Sequence, residues 1–254
     1  RPLWFRTWRY IKLDIQTGPE ALQIEDFYGM YTAYPFSENA SFESDDKSIE
    51  KIWETGWRTA RLCAHETYFD CPYYEQLQYI ADTRIQALIS LYVDGDDRLM
   101  KKAIRAFNRS RVYEGITDSR FPGYKAQFIP PFSLFWINMI QDHWMHRGDM
   151  ALVKECLPGV KSVLNWFENR IDPETGMLGA LPHWNFVDWA KPWPWNTEKP
   201  VGGVPPGGAT GGSSILTLQL AYTLKDAVKI FSLMDEKVLE EHYRALYHSL
   251  LSAV

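Results

Sequence analysis

Phe69-Asp70-Cys71-Pro72-Tyr73-Tyr74-Glu75-Gln76-Leu77-Gln78-Tyr79-Ile80-Ala81-Asp82 sets three carboxylates among aromatic rings, directly ahead of an apolar helical run. A helix starting near Glu75 would put Glu75, Tyr79 and Asp82 on one face, because they stand at i, i+4 and i+7. Asp70 then falls in the preceding turn, where Pro72 blocks an earlier start. Crowded like charges cost free energy, so a cluster of this kind points to a use. Acidic residues also suit the positive end of a helix, and a capping role is the other reading.

Helical periodicity extends on both sides of this stretch. Asp45 and Asp46 cap a run carrying Ile49, Ile52, Trp53, Trp57, Ala60 and Ala64. A second helix carries Leu77, Ile80, Ile85, Leu88 and Leu91 and stops at Asp94-Gly95, and a third is expected from about Asp97 to Val112. Pro130-Pro131 opens a fourth that ends at Gly148. Asp149 caps a fifth, which Pro158 should kink. Ser213 and Ser214 cap a sixth, and a seventh starts near Glu236. Connections after the second, fourth and sixth helices are short. Those before them, 67–75, 113–130 and 171–212, are long and rich in aromatic, Gly and Pro residues. That alternation predicts paired antiparallel helices with elaborated loops at one end, the pattern of an α/α toroid whose inner helices are the second, fourth and sixth.

Residues 1–36 have a different period. Phe5 to Ile15 mostly alternates apolar and polar residues, Gly18-Pro19 makes a turn, and 22–24 and 27–31 supply further strand-like runs. Two or three strands cannot bury a sheet face alone. The expected division is therefore 1–40, the last strands of a β-sandwich domain, and 41–254, the first part of a mainly α (α/α)6 barrel.

Composition narrows the function. Aromatic residues reach 15%, with 11 Trp, 14 Tyr and 13 Phe, while the net charge is −5. Rings without a surplus of cations suit a neutral, hydroxyl-rich ligand such as a sugar, and they disfavour nucleic acid. Cys63, Cys71 and Cys156 fit no metal motif, so no metal or other cofactor is expected. No run of 18 apolar residues that would cross a membrane is found. The long third loop brings Leu181-Pro182-His183-Trp184-Asn185-Phe186-Val187-Asp188-Trp189 to the same mouth as Glu75. A pocket of Tyr79, Trp184 and Trp189, with Asp70, Asp82 and Asp188 for hydroxyls, is a sugar site by composition, and Trp136 could join it. His183 either caps a loop or touches the ligand. Gly202-Gly203-Val204-Pro205-Pro206-Gly207-Gly208 lacks the Gly-Lys-Ser/Thr of a phosphate loop, leaving a lid or a close crossing. For glycoside hydrolysis, which needs a proton donor and a second carboxylate, Glu75 is expected to hold its proton between ionised Asp70 and Asp82.

Asp70-Cys71-Pro72 followed by Glu75, Tyr79 and Asp82 resembles the signature of bacterial α-L-rhamnosidases, glycoside hydrolase family 78. Trp184-Asn185-Phe186-Val187-Asp188-Trp189 and the Gly/Pro stretch before Ser213-Ser214 resemble that family too. Many members have an Arg between the Pro and the Glu and a Trp in the place of Tyr79, so this chain is a Tyr-Tyr variant. The resemblance implies an (α/α)6 barrel, a terminal α-L-rhamnoside as substrate and inversion of configuration. It implies Glu75 as general acid and Asp70 and Asp82 as partners of the rhamnose hydroxyls. It further implies a general base beyond Val254 and about seven of twelve barrel helices here. On that expectation the rest of the same polypeptide completes the barrel, and the segment alone is inactive. Another toroid glycosidase, a polysaccharide lyase and a non-catalytic carbohydrate-binding module remain open. For a lyase, the mouth loops offer only Arg120, Lys125 and Lys191 against a substrate carboxylate.

Overall fold

The computed structural model describes residues 5–193, 195 and 202–254; residues 1–4, which belong to the expected strand region, and 194 and 196–201 of the long third loop lie outside it. Among the described residues seven helices follow one another: α1 (Lys47–Leu62), α2 (Ile80–Val93), α3 (Arg98–Arg109), α4 (Pro130–Arg147), α5 (Met150–Glu168), α6 (Ser214–Leu233) and α7 (Lys237–Ala253). Their ends obey local chemistry. The Asp46, Asp149 and Ser213 side chains accept hydrogen bonds from the backbone N–H groups of Ser48, Leu152 and Leu216. Pro130 and Pro131 occupy the first turn of α4, where a missing N–H leaves no bond unmade, and Gly148 closes it with φ of 63°. Pro158 lies inside α5 without ending it.

Helices α2, α4 and α6 pack side by side in chain order, while α1, α3, α5 and α7 pack outside them, as the loop alternation predicts. The inner helices run parallel. Gln219 Nε2 of α6 donates to the Pro131 carbonyl near the start of α4 (3.0 Å). Further along, buried Asn138 donates to Asp226 (2.8 Å) and accepts from Thr223 (3.1 Å). Arg84 of α2 holds Asp142 of α4 through two nitrogens, at 2.6 and 3.2 Å. All three inner helices therefore start at the same end, which carries the long connections.

A large apolar core lies between the layers, and a small second cluster joins Trp57 and Ala60 of α1 to Val93 of α2. Trp136 belongs to the large core: fully buried, it donates its indole N–H to the Ile104 carbonyl of α3 (3.0 Å). The expectation that it joins the sugar pocket is thus corrected, because at this position α4 turns its outward face, which meets α3 and α5. Gly159 of α5 permits that approach, since a Cβ there would stand 2.6 Å from the Trp136 ring and 2.5 Å from Asn108 Oδ1.

Among the described residues, no strand is seen over 5–31, where the sequence predicts them. Among the described residues this stretch has no ladder, and Tyr10, Tyr28, Tyr31 and Met30 lie exposed. A strand needs a neighbouring edge and a layer over one face, and among the described residues this stretch meets neither. Side-chain contacts tie it down instead: Phe5 stacks on His65 with centroids 4.1 Å apart, and Thr7 donates to the Pro72 carbonyl (2.6 Å). From Tyr34 the chain docks on the helices, with Tyr34 N–H on the Ala64 carbonyl and the N–H groups of Asn39 and Ala40 on that of Val93.

Replacing Trp136 by Ala should destabilise the protein by roughly 3–5 kcal/mol, the cost of emptying a core aromatic site. Trp189→Ala, at a residue 61% exposed, should cost far less. Urea unfolding of both variants checks the assignment of one Trp to the core and the other to the surface.

Candidate active site

The acidic motif folds as a closed loop ahead of the helix. Asp70 N–H donates to the Leu77 carbonyl (2.9 Å), and Leu77 N–H returns a bond to Asp70 Oδ1 (2.9 Å). Within this clasp Pro72 and Tyr73 turn the chain, Glu75 N–H rests on Cys71 Sγ (3.3 Å), and Gln76 takes φ of 55°. That left-handed residue prevents a helix from starting at Glu75. Helix α2 begins at Ile80 instead, so the shared helical face expected for Glu75, Tyr79 and Asp82 is corrected. The three still converge, by a different route.

Tyr79 pairs with Arg120 of the next loop in an isolated antiparallel bridge, and Ile80 N–H reaches the Ser119 carbonyl (3.1 Å). The Tyr79 hydroxyl donates to Glu75 Oε2 (2.8 Å) and accepts from Arg120 Nη1 (3.1 Å), with the guanidinium over the phenol ring. Burial pushes the Tyr79 phenol well above its usual range, the bond to Glu75 adds to this, and Arg120 opposes it. Tyr79 therefore stays protonated and fixes an otherwise exposed Glu75 at the mouth.

Asp82 lies in the first turn of α2, and its carboxyl is pushed up to about 6. Burial is the main cause; the negative charges of Asp70, Glu75 and Asp188 reinforce it, while its own backbone N–H works against it. The carboxylate cluster is thus real in space. The burial that favours a held proton falls on Asp82, however, and not on the exposed Glu75, where the sequence reading expected it.

Aromatic rings wall the cluster on one side. Tyr79 meets Phe132 edge-on (6.3 Å between centroids), Phe132 meets Phe186 (6.0 Å), and Phe186 touches both Trp184 (4.9 Å) and Trp189 (5.0 Å). Trp195 closes the group against Trp189 (6.0 Å). The Trp184 indole donates to the Gly202 carbonyl (3.0 Å), and Val187 N–H to that of Gly203 (2.9 Å). A Cβ on Gly203 would stand 2.3 Å from the Phe186 ring, and one on Gly202 2.8 Å from Trp189. Of the two roles open for these glycines, they serve the close crossing.

The fold thus gathers Asp70, Glu75, Tyr79, Asp82 and Asp188, and links Trp184 and Trp189 to them through two phenylalanines. His183 stands aside: its ring packs on Phe128 (5.0 Å), and Nε2 lies 3.9 Å from Glu114 Oε2. Sequence reasoning missed Phe132, Phe186 and the role of Arg120. Arg120 was visible only as one of the few cations in the mouth loops. Among the described residues no group of His, Cys, Asp and Glu could hold a metal ion, and no helix is long and apolar enough to cross a membrane.

Residues 37–254 match the model of the bacterial alpha-L-rhamnosidase 6 hairpin glycosidase domain. The chain belongs to this family. No curated protein matches it. Among solved structures, a family 78 rhamnosidase of Bacillus sp. GL1 is 26% identical with a TM-score of 0.75, over 87% of this chain and 22% of that one. A Klebsiella oxytoca rhamnosidase with rhamnose bound has a TM-score of 0.69 at 19% identity, over 83% of this chain and 38% of that one. The Streptomyces avermitilis α-L-rhamnosidase complexed with L-rhamnose has a TM-score of 0.66 at 16% identity, over 86% and 19%. The chain therefore spans between about a fifth and two fifths of the length of these relatives, and the last two show the shared fold. Within the rhamnosidase domain family, the helical architecture expected from the loop alternation holds.

The raised Asp82 carboxyl sets a pH dependence. Its folded value of about 6 exceeds the ordinary 3.8, so ionising it opposes folding. The penalty is absent below pH 3.8, grows up to about pH 6 and is constant above. Asp82→Asn removes it. The variant should gain stability over the wild type progressively between pH 4 and 6.5, read as the difference in urea midpoint across that range.

Proposed function

We propose that the chain carries the proton-donating half of an inverting α-L-rhamnosidase site. The observation that carries this reading is the Tyr79 hydroxyl bond to Glu75 beside the Asp70–Asp82–Asp188 cluster. It puts one exposed, positioned carboxyl next to a partly buried one pushed up to about 6, two environments suited to two roles. In this reading a terminal α-L-rhamnose of a glycan or glycoside stacks against the Trp184–Trp189 wall. Asp70 accepts from its hydroxyls. Asp82 does the same when ionised, and when protonated donates to a hydroxyl oxygen.

Glu75 gives its proton to the glycosidic oxygen as the bond to the anomeric carbon breaks. A water attacks that carbon from the opposite face and loses its proton to a second carboxylate. Inverting enzymes hold the two carboxyl groups about 6.5–9.5 Å apart to leave room for that water. We place the second carboxylate in residues outside this chain, as its limited share of its relatives' length suggests, with the same polypeptide closing the barrel. In the same spirit we assign 1–40 to a preceding β-sandwich domain and 41–254 to the catalytic barrel. The reaction itself calls for no cofactor.

Arg120 has its guanidinium committed to Tyr79, which leaves little positive charge at the mouth for a lyase substrate. The test uses the natural polypeptide. An aryl α-L-rhamnoside should be hydrolysed with β-L-rhamnose as the first product by NMR, and retention would reject inversion. Glu75→Gln should lower kcat/KM by about 10²–10⁴-fold, the usual contribution of a positioned proton donor, with the smallest loss on the most acidic leaving group. Wild-type protein that binds rhamnose but turns over no rhamnoside would favour a binding module instead.

A further inference from the structure

Helix α3 is the most basic element of an acidic chain. Arg98, Lys101, Lys102, Arg105 and Arg109 recur at i, i+3, i+4, i+7 and i+11, one continuous stripe along the helix. On an outer helix such a stripe is ordinarily a convex, solvated face. Here it lines a groove of about 630 Å³, in which Glu66 is the only acidic lining residue among the described ones. That volume lies within the roughly 300–1,000 Å³ of small-molecule sites. Asp96, Asp97 and Glu155, outside the groove, answer Arg98, Lys101 and Arg105. Lys102 reaches only the Glu66 carbonyl, and exposed Arg109 has no acidic partner among the described residues.

The opposite wall is the back of the candidate active site. Gln78 and Phe121 exchange backbone and side-chain bonds: Phe121 N–H donates to the Gln78 carbonyl (3.1 Å) and Gln78 Nε2 to that of Phe121 (2.7 Å). They adjoin Tyr79 and Arg120, and alternation along the paired segments turns Gln78 and Phe121 to the groove while Tyr79 and Arg120 face the mouth. Gln78 is 2% exposed, and its Oε1 has no hydrogen-bond partner among the described residues. An unpaired buried acceptor calls for a donor. Phe121 and Pro122 add an apolar surface of the kind that sugar CH faces cover.

We propose that this groove binds an acidic saccharide, its carboxylates or sulfates on Lys102 and Arg109, a hydroxyl on Gln78 Oε1, and a ring face on Phe121. That the anion is a saccharide rests on the rhamnosidase reading; the cationic groove does not. Binding of oligogalacturonate of defined length to the natural polypeptide is measured by calorimetry, at low salt and in 0.5 M NaCl. Lys102→Glu/Arg109→Glu should weaken it at least tenfold and leave kcat/KM on an aryl rhamnoside within twofold of wild type. Gln78→Met, which keeps the bulk, should weaken it without changing its salt dependence. Glu75→Gln should bind as wild type does. Wild type that fails to bind, or binds a neutral maltooligosaccharide equally, overturns the proposal. So does a charge-reversed variant that binds undiminished. Equal binding of sulfate alone or of single-stranded DNA, with the same loss in that variant, makes the groove a general anion site and overturns the saccharide. Oligogalacturonate binding without any rhamnoside turnover would sink the rhamnosidase reading and leave the groove standing.

Discussion

The site depends on a junction of two loops. Tyr79 and Arg120 pair through their backbones, and the next N–H, that of Ile80, closes on the Ser119 carbonyl. This join does three things at once. It supplies a partner for an orphan donor at the start of α2, which has no side-chain cap. It brings a guanidinium onto a phenol, and it aims that phenol at Glu75. Without it, Glu75 would be an exposed carboxylate on a turn, free to sample many rotamers. With it, the carboxyl is held before any ligand arrives, the condition under which a proton donor is effective.

Much of the fold was legible because its punctuation is local. Asp46, Asp149 and Ser213 act within three residues, and Pro130-Pro131 and Gly148 act at their own positions, so the ends of the helices could be read one by one. The order of inner and outer layers followed from loop length alone. What escaped was set by contacts distant in sequence. The side chains of residues 5–31 alternate as a strand's do, yet alternation describes a strand only when an edge lies beside it. Trp136 carries the same residue type as Trp184 and Trp189, and only the approach of Gly159 across the interface decides that it is core.

The carboxylates show the same limit at finer scale. Their gathering was readable from spacing, but the division of burial among them was not. Gln76, with its left-handed backbone, moves the helix start from Glu75 to Ile80. That shift leaves Glu75 in the open and seats Asp82 in the first helical turn, among three other negative charges. The left-handed residue and the sheltered acid thus stand six residues apart in one short segment.

The buried link of Asn138, Thr223 and Asp226 between α4 and α6 fixes more than adhesion. Apolar helix faces tolerate sliding, because one methyl group replaces another at small cost. A slide of one turn, about 5.4 Å, would strip Asn138 of both partners in a dry interior and leave Asp226 only Lys229 of its own helix, and an unpaired buried group is expensive. The polar contact therefore acts as a vernier mark that allows one alignment and penalises the next. Loops rising from separate helices are levelled by it to a common height, so the floor of the barrel sets the geometry of its rim.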